Sequence, residues 1–303
     1  MRAIFCRPRA AITVVELLVV IGIISVALGL LLPAILQVRA AALQTHSSNN
    51  LRQIGVAVQS FAGDLGRLPA IDGTGPREDG WYSMFTQLLP YIEHGKYYAE
   101  IRDGTRPLNS NYTVKPYVNP ADPTLADVGN APGATSYAAN ALLFIKKPDL
   151  TRTVRDGTSN TIAFAEHYAR CGDFGNFDSS WTEFNWFSAH TSVLALPGGN
   201  SSVTVHRATF ADVHGDQTPQ PPADVHPVTA GSPPMSVGSV SGLTFQIRPL
   251  PRDADPRLAQ TPHSAMLVGL ADGSVRTLAK GMSEFTYWAA VTPAGSEALG
   301  NDW

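Results

Sequence analysis

The chain has 303 residues, enough for one large domain or two small ones around a sizeable core. Charged residues make up only 16% of it, Gly and Pro number 26 and 23, and the formal net charge is −3. That balance fits a loop-rich, β-containing exterior domain and excludes a nucleic-acid binder, which needs concentrated Lys and Arg where this chain has no basic run longer than a pair.

Residues 1–11 carry Arg2, Arg7 and Arg9 and no acid. An apolar run follows from Ile12, interrupted by Thr13, Glu16 and Ser25 and continuing to Leu32. About 20 apolar residues cross a bilayer core, so this segment is long enough to span. Positive residues ahead of it hold that end in the cytoplasm. An ordinary secretory signal would place its small residues after the apolar run; here Ala10 and Ala11 precede it. Glu16 is a carboxylate within the run, and a charge there is costly enough to imply a task.

Further along, Leu51, Ile54, Val58, Phe61 and Leu65 recur in steps of three and four, one face of an amphipathic helix. Leu43 shares that face, with the polar Ser47 breaking the stripe between them. Gly66 and Pro69 supply the stop. The expected division is 1–11 as a leader, 12–35 as a transmembrane helix, 36–66 as an amphipathic stalk helix and 67–303 as the exterior domain. Gly29 and Pro33 are the expected bending points of the helix.

In the exterior part, Asp156-Gly157 and Asp272-Gly273 each sit between apolar stretches, a tight-turn signal because Gly accepts positive φ. Residues 266–271 and 274–278 predict a hairpin across Asp272-Gly273, and 160–166 a strand after the first turn. His263 is expected to anchor the hairpin by a hydrogen bond. Cys171 reads as a small buried apolar residue. Residues 197–262, rich in Pro and Gly, read as a long insertion with short strands at best. Asp212-Val213-His214 and Asp224-Val225-His226 repeat within it; His and Asp suit a transition metal, but nothing fixes a geometry and no metal is assigned. Trp181, Phe184, Trp186 and Phe187 precede it as expected core aromatics. No nucleophile elbow, HExxH or phosphate-cradling loop is present, so no catalytic residue, cofactor or enzymatic activity is expected.

The string Ala11, Ile12-Thr13-Val14-Val15-Glu16-Leu17-Leu18-Val19-Val20 resembles the prepilin leader, with Ala for the usual Gly and Ile for the usual Phe. The resemblance implies that a prepilin peptidase cuts between Ala11 and Ile12 and methylates the new amine of Ile12. It also implies that Glu16 pairs with the terminal amine of a neighbouring subunit. Loss of the leader takes three arginines with it and deepens the charge to −6.

Ser47-Ser48-Asn49-Asn50-Leu51-Arg52-Gln53-Ile54-Gly55 resembles a signature of the prepilin-like domain of unknown function family 1559. Leu88-Leu89-Pro90-Tyr91-Ile92-Glu93, Ser136-Tyr137-Ala138-Ala139-Asn140 and Asp156-Gly157-Thr158-Ser159-Asn160-Thr161-Ile162 with Glu166 resemble its later segments. His263 and Asp272-Gly273 resemble its H-x9-DG motif, here one residue short. Trp288, Gly295, Glu297 and Gly300 resemble its tail.

The resemblance implies an α+β fold in which a pilin-like long N-terminal helix packs on an antiparallel sheet. It implies a pilin- or pseudopilin-like subunit of a pilus or type II secretion-like assembly, held by one span in the inner membrane with its C-terminal domain in the periplasm or at the cell surface. Other pilin-like subunits are the expected partners. The competing expectation is a non-polymerising binding protein that uses the leader as an anchor.

Overall fold

The computed structural model describes residues 14–70, 72–74, 81–107, 112–126, 128, 133–144, 149–171, 177–180, 192–195, 202–207, 209–210, 244–254, 258–295 and 297–303, with only the backbone described at 72–74, 81–82, 141, 151–152, 177–180, 192–195, 202–207 and 209–210. It divides into two compact units, one ending at Leu43 and the other beginning at Gln44.

Helix α1 runs from Val14 to Leu65 through Pro33. In the first unit every residue from 14 to 42 is exposed, although the segment is almost wholly apolar. Such a stretch has no core of its own and is a candidate single membrane span. Glu16 lies in the first turn, where a carboxylate complements the unpaired N–H groups and the positive end of the helix dipole.

In the second unit the same helix buries Ser47, Asn50, Leu51, Ile54, Gly55, Ala57, Val58 and Phe61. Leu65, expected on this stripe, is instead 53% exposed. The helix ends at this residue, the following Gly66 turns the chain with a φ of +65°, and Leu68 takes the next buried position.

Strands β1 (Asp72–Thr74) and β2 (Trp81–Ser83) form a small antiparallel ribbon. Short helix α2 (Met84–Gln87) follows, capped by Ser83 Oγ accepting from the Thr86 N–H at 3.2 Å, and then α3 (Gly95–Arg102). Next come β3 (Tyr137–Asn140), α4 (Ala141–Phe144), α5 (Leu150–Thr153), β4 (Ile162–Glu166), β5 (Arg170–Cys171), β6 (Phe177–Ser180), β7 (Ser192–Ala195), β8 (Ser202–Arg207) and β9 (Thr209–Phe210). The chain finishes with β10 (Phe245–Ile247), β11 (Ala259–Thr261), β12 (Met266–Leu270), β13 (Val275–Leu278) and α6 (Glu284–Val291).

The central sheet has the order β13-β12-β4-β3-β9, and β5-β6-β8-β7 form a second sheet. The pairs β13-β12, β12-β4 and β4-β3 are antiparallel, as expected. Among the described residues three pairs are parallel: β3-β9, β6-β8 and β10-β11. Strand β8 and the short β9, β10 and β11 fall in the 197–262 stretch.

Both faces of the central sheet are covered, and its side chains divide between them. Tyr137, Ala139, Phe164 and Leu267 join Leu51, Ile54, Val58 and Phe61 of α1. Ala138, Ile162, Ala165, Met266 and Val268 join Tyr287, Ala290 and Val291 of α6. Successive strand residues point to opposite faces, so period-two strands that are apolar throughout bury both.

Candidate functional site

Two of the sequence words meet as bare backbone. Gly273 takes φ +85° at the β12–β13 turn, and Gly157 takes φ +97° in the earlier Asp-Gly turn. A Cβ on Gly55 of α1 would lie 2.8 Å from Gly273 Cα, so the helix can rest on this turn only because position 55 lacks a side chain, while position 273 favours glycine through its positive φ. Gln59 Nε2 donates to Ala271 O in the same place.

The two Asp-Gly turns also join each other. The Asp272 N–H donates to Thr158 O at 3.0 Å and the Ala271 N–H to Thr161 O at 2.9 Å. Asp272 Oδ1 accepts from the N–H and the Oγ of Ser274 at 2.8 and 2.6 Å, closing its own turn. Asp156 Oδ2 accepts from the Gly295 N–H at 2.8 Å, tying the first turn to the tail. Both aspartates thus have structural partners, and among the described residues no group of three His, Cys, Asp or Glu side chains could hold a metal.

The most unusual place is a buried carboxylate. Glu166, at the end of β4, is 0% exposed. Its Oε1 accepts from Ser47 Oγ of α1 at 2.5 Å and from Asn119 Nδ2 at 2.9 Å. Its Oε2 accepts from Thr261 Oγ1 of β11 at 2.5 Å and from the Leu267 N–H of β12 at 3.2 Å. Four donors from four segments therefore compensate a charge that would be prohibitive alone in a core. Tyr137 OH lies 3.0 Å from Ser47 Oγ and accepts from Asn50 Nδ2 at 3.2 Å, while the same Asn50 nitrogen donates to Val118 O at 2.9 Å. Burial pushes the Tyr137 hydroxyl well above the usual tyrosine range.

His263 borders this seam. Its Nε2 lies 3.3 Å from Glu166 Oε1, but off the angle of a hydrogen bond. The bond it does make is from its backbone N–H to Thr261 Oγ1 at 3.1 Å. The histidine thus holds the approach to the hairpin through main chain, with its ring beside the carboxylate.

A second buried acid lies close along the chain. Asp122 Oδ1 accepts from the N–H and Oγ1 of Thr124, and Oδ2 from Ser136 Oγ at 2.7 Å and the Ala169 N–H at 2.8 Å. Burial pushes its carboxyl above the usual range, and those hydrogen bonds pull the other way. Cys171 is fully buried, its Sγ 3.7 Å from Tyr168 O.

Ser47 and Glu166 were visible in the sequence as members of motif strings, but nothing marked them as partners 119 positions apart. Asn119, Thr261 and Asp122 carried no signal at all. Ala11, Ile12, the rest of the leader, His214, His226 and the aromatics 181–187 lie outside the described residues.

Residues 37–122 match the family model described as "Protein of unknown function (DUF1559)", also labelled SBP_bac_10. This supports the family 1559 resemblance over the second half of α1 and the segments that follow it. No curated protein and no solved structure matches the chain.

Proposed function

We propose that this protein is a pilin- or pseudopilin-like envelope subunit, anchored by one span in the inner membrane, with the unit from Gln44 onward on the periplasmic or outer side. It has no enzymatic role in this reading. The observation that carries it is α1 itself: a fully exposed apolar segment with one carboxylate in its first turn continues into a segment bedded on a sheet. An exposed apolar run of this length requires lipid or other apolar helices around it.

Processing by a prepilin peptidase between Ala11 and Ile12, with methylation of the Ile12 amine, would place that amine four residues ahead of Glu16. The carboxylate of one subunit then neutralises the terminal amine of the next inside the bilayer, which offsets the cost of carrying it there. The partners are the peptidase and other pilin-like subunits.

The test is the intact mass and N-terminal sequence of the membrane-extracted protein. The reading expects a chain that begins at Ile12 with one added methyl group. A chain that keeps residues 1–11 overturns it. The assembly step is tested by Glu16→Ala: the variant should insert and fold but fail to co-purify with like subunits after cross-linking. Cross-linked yields equal to the wild type would overturn the role given to Glu16 and with it the assembly reading that rests on that carboxylate.

A further inference from the structure

We propose that Ser47 and Asn119 become joined by an intramolecular ester bond, formed in the buried seam with Glu166 as the proton carrier. One oxygen, Glu166 Oε1, accepts hydrogen bonds from both the Ser47 hydroxyl at 2.5 Å and the Asn119 carboxamide nitrogen at 2.9 Å. A nucleophile and a leaving group that share one carboxylate oxygen have the base and the acid of an acyl transfer already in place.

The carboxamide oxygen has a donor of its own. Asn119 Oδ1 accepts from the Ala121 N–H at 3.0 Å, so a fixed backbone donor faces the oxygen on which charge develops. Tyr137 OH, itself fixed by Asn50, holds the Ser47 hydroxyl from the other side. Ser47 and Glu166 are 0% exposed and Asn119 is 1% exposed. Water is therefore kept from competing as nucleophile and from hydrolysing the product.

The step balances without an oxidant or a cofactor. Ser47 Oγ bonds to Asn119 Cγ while its proton passes to Glu166 Oε1. The same proton then passes to the carboxamide nitrogen, the C–N bond breaks, and ammonia leaves. Glu166 ends as the carboxylate it began as. The product would tie α1 covalently to the loop that carries Asn119, so that tension along the helix could not strip it from the sheet. The proposal does not depend on leader processing or on polymerisation.

The experiment is mass spectrometry of the full chain purified in detergent. Loss of ammonia should place the chain about 17 Da below the mass of its determined sequence. A tryptic digest should yield residues 40–52 linked to residues 103–146, and mild alkali should separate them. Ser48→Ala, at the neighbouring hydroxyl, should keep the mass deficit, whereas Ser47→Ala and Glu166→Gln should each abolish it. A wild-type chain of full mass, with 40–52 and 103–146 recovered as separate linear peptides, overturns the proposal. That readout is taken on the native sequence, so it does not require any variant to fold.

Discussion

Residues 14–42 of α1 leave every side chain exposed, whereas from Ser47 to Phe61 the same helix buries eight. The first stretch is specified by composition: in the proposed lipid surroundings any apolar residue serves. The second is specified by partners, because each buried position answers to one place on the sheet. Leu28 and Leu51 put this contrast to the test. Leu51 is 0% exposed and Leu28 is 60% exposed. Leu51→Ala should cost about 2–5 kcal/mol of unfolding free energy, read from urea midpoints by tryptophan fluorescence. Leu28→Ala should stay within about 0.5 kcal/mol in the same assay. Equal losses would mean that the apolar stretch is core after all.

The polar part of the seam should matter almost as much as the apolar part. In the chain before any Ser47–Asn119 bond forms, Glu166→Ala strands Ser47, Asn119, Thr261 and the Leu267 N–H without their acceptor. Each stranded buried donor costs about 1–3 kcal/mol unless it finds another partner, so the total should reach at least about 3 kcal/mol. Glu16→Ala, a carboxylate lost from the other stretch, should leave the urea midpoint unchanged. A midpoint for Glu166→Ala equal to wild type would show that the four donors are satisfied elsewhere.

These two carboxylates also mark where the sequence was readable. Glu16 stands out because its neighbours are apolar, a local signal. Glu166 closes the stretch 160–166 that read as a strand after the Asp156-Gly157 turn, but its four donors come from segments up to 119 positions away. Ser47 looked like a break in the apolar stripe for the same reason: its partner was out of sight. The hairpin of β12 and β13 was legible because an Asp-Gly turn and two apolar runs lie side by side in the chain. The parallel pairings β3-β9 and β6-β8 were not, since no local pattern specifies which distant strand a segment joins.

Two glycines of α1 sharpen the same contrast by changing sign. Gly55→Ala would press a methyl group against Gly273 Cα, with backbone on both sides and little freedom to move. The expected loss is about 1–3 kcal/mol in the urea assay. Gly63 has nothing within 4 Å of its missing Cβ, so Gly63→Ala should gain about 0.5–1 kcal/mol from restricting the unfolded chain and filling a helical site. If both substitutions stabilise, the close approach of the helix to the turn is wrong.

The smallest effect belongs to a fully exposed charge at the far side of the sheet. Asp302 accepts from the Ser283 N–H through Oδ2 at 2.6 Å and from Thr286 Oγ1 through Oδ1, closing the first turn of α6. Those hydrogen bonds depress its carboxyl from 3.8 to about 2. A depressed folded value means the stabilisation is complete above the unfolded value and disappears as pH falls through the folded one. Asp302→Asn should therefore lower Tm at neutral pH by a small amount, and the gap from wild type should close between about pH 4 and about pH 2. Ser283 Oγ still accepts from the Thr286 N–H at 3.3 Å, so the helix keeps one cap in the variant. Thermal scans across that window decide the matter: a gap that stays constant down to pH 2 would assign the effect to the shape of the side chain, and one that closes assigns it to the charge.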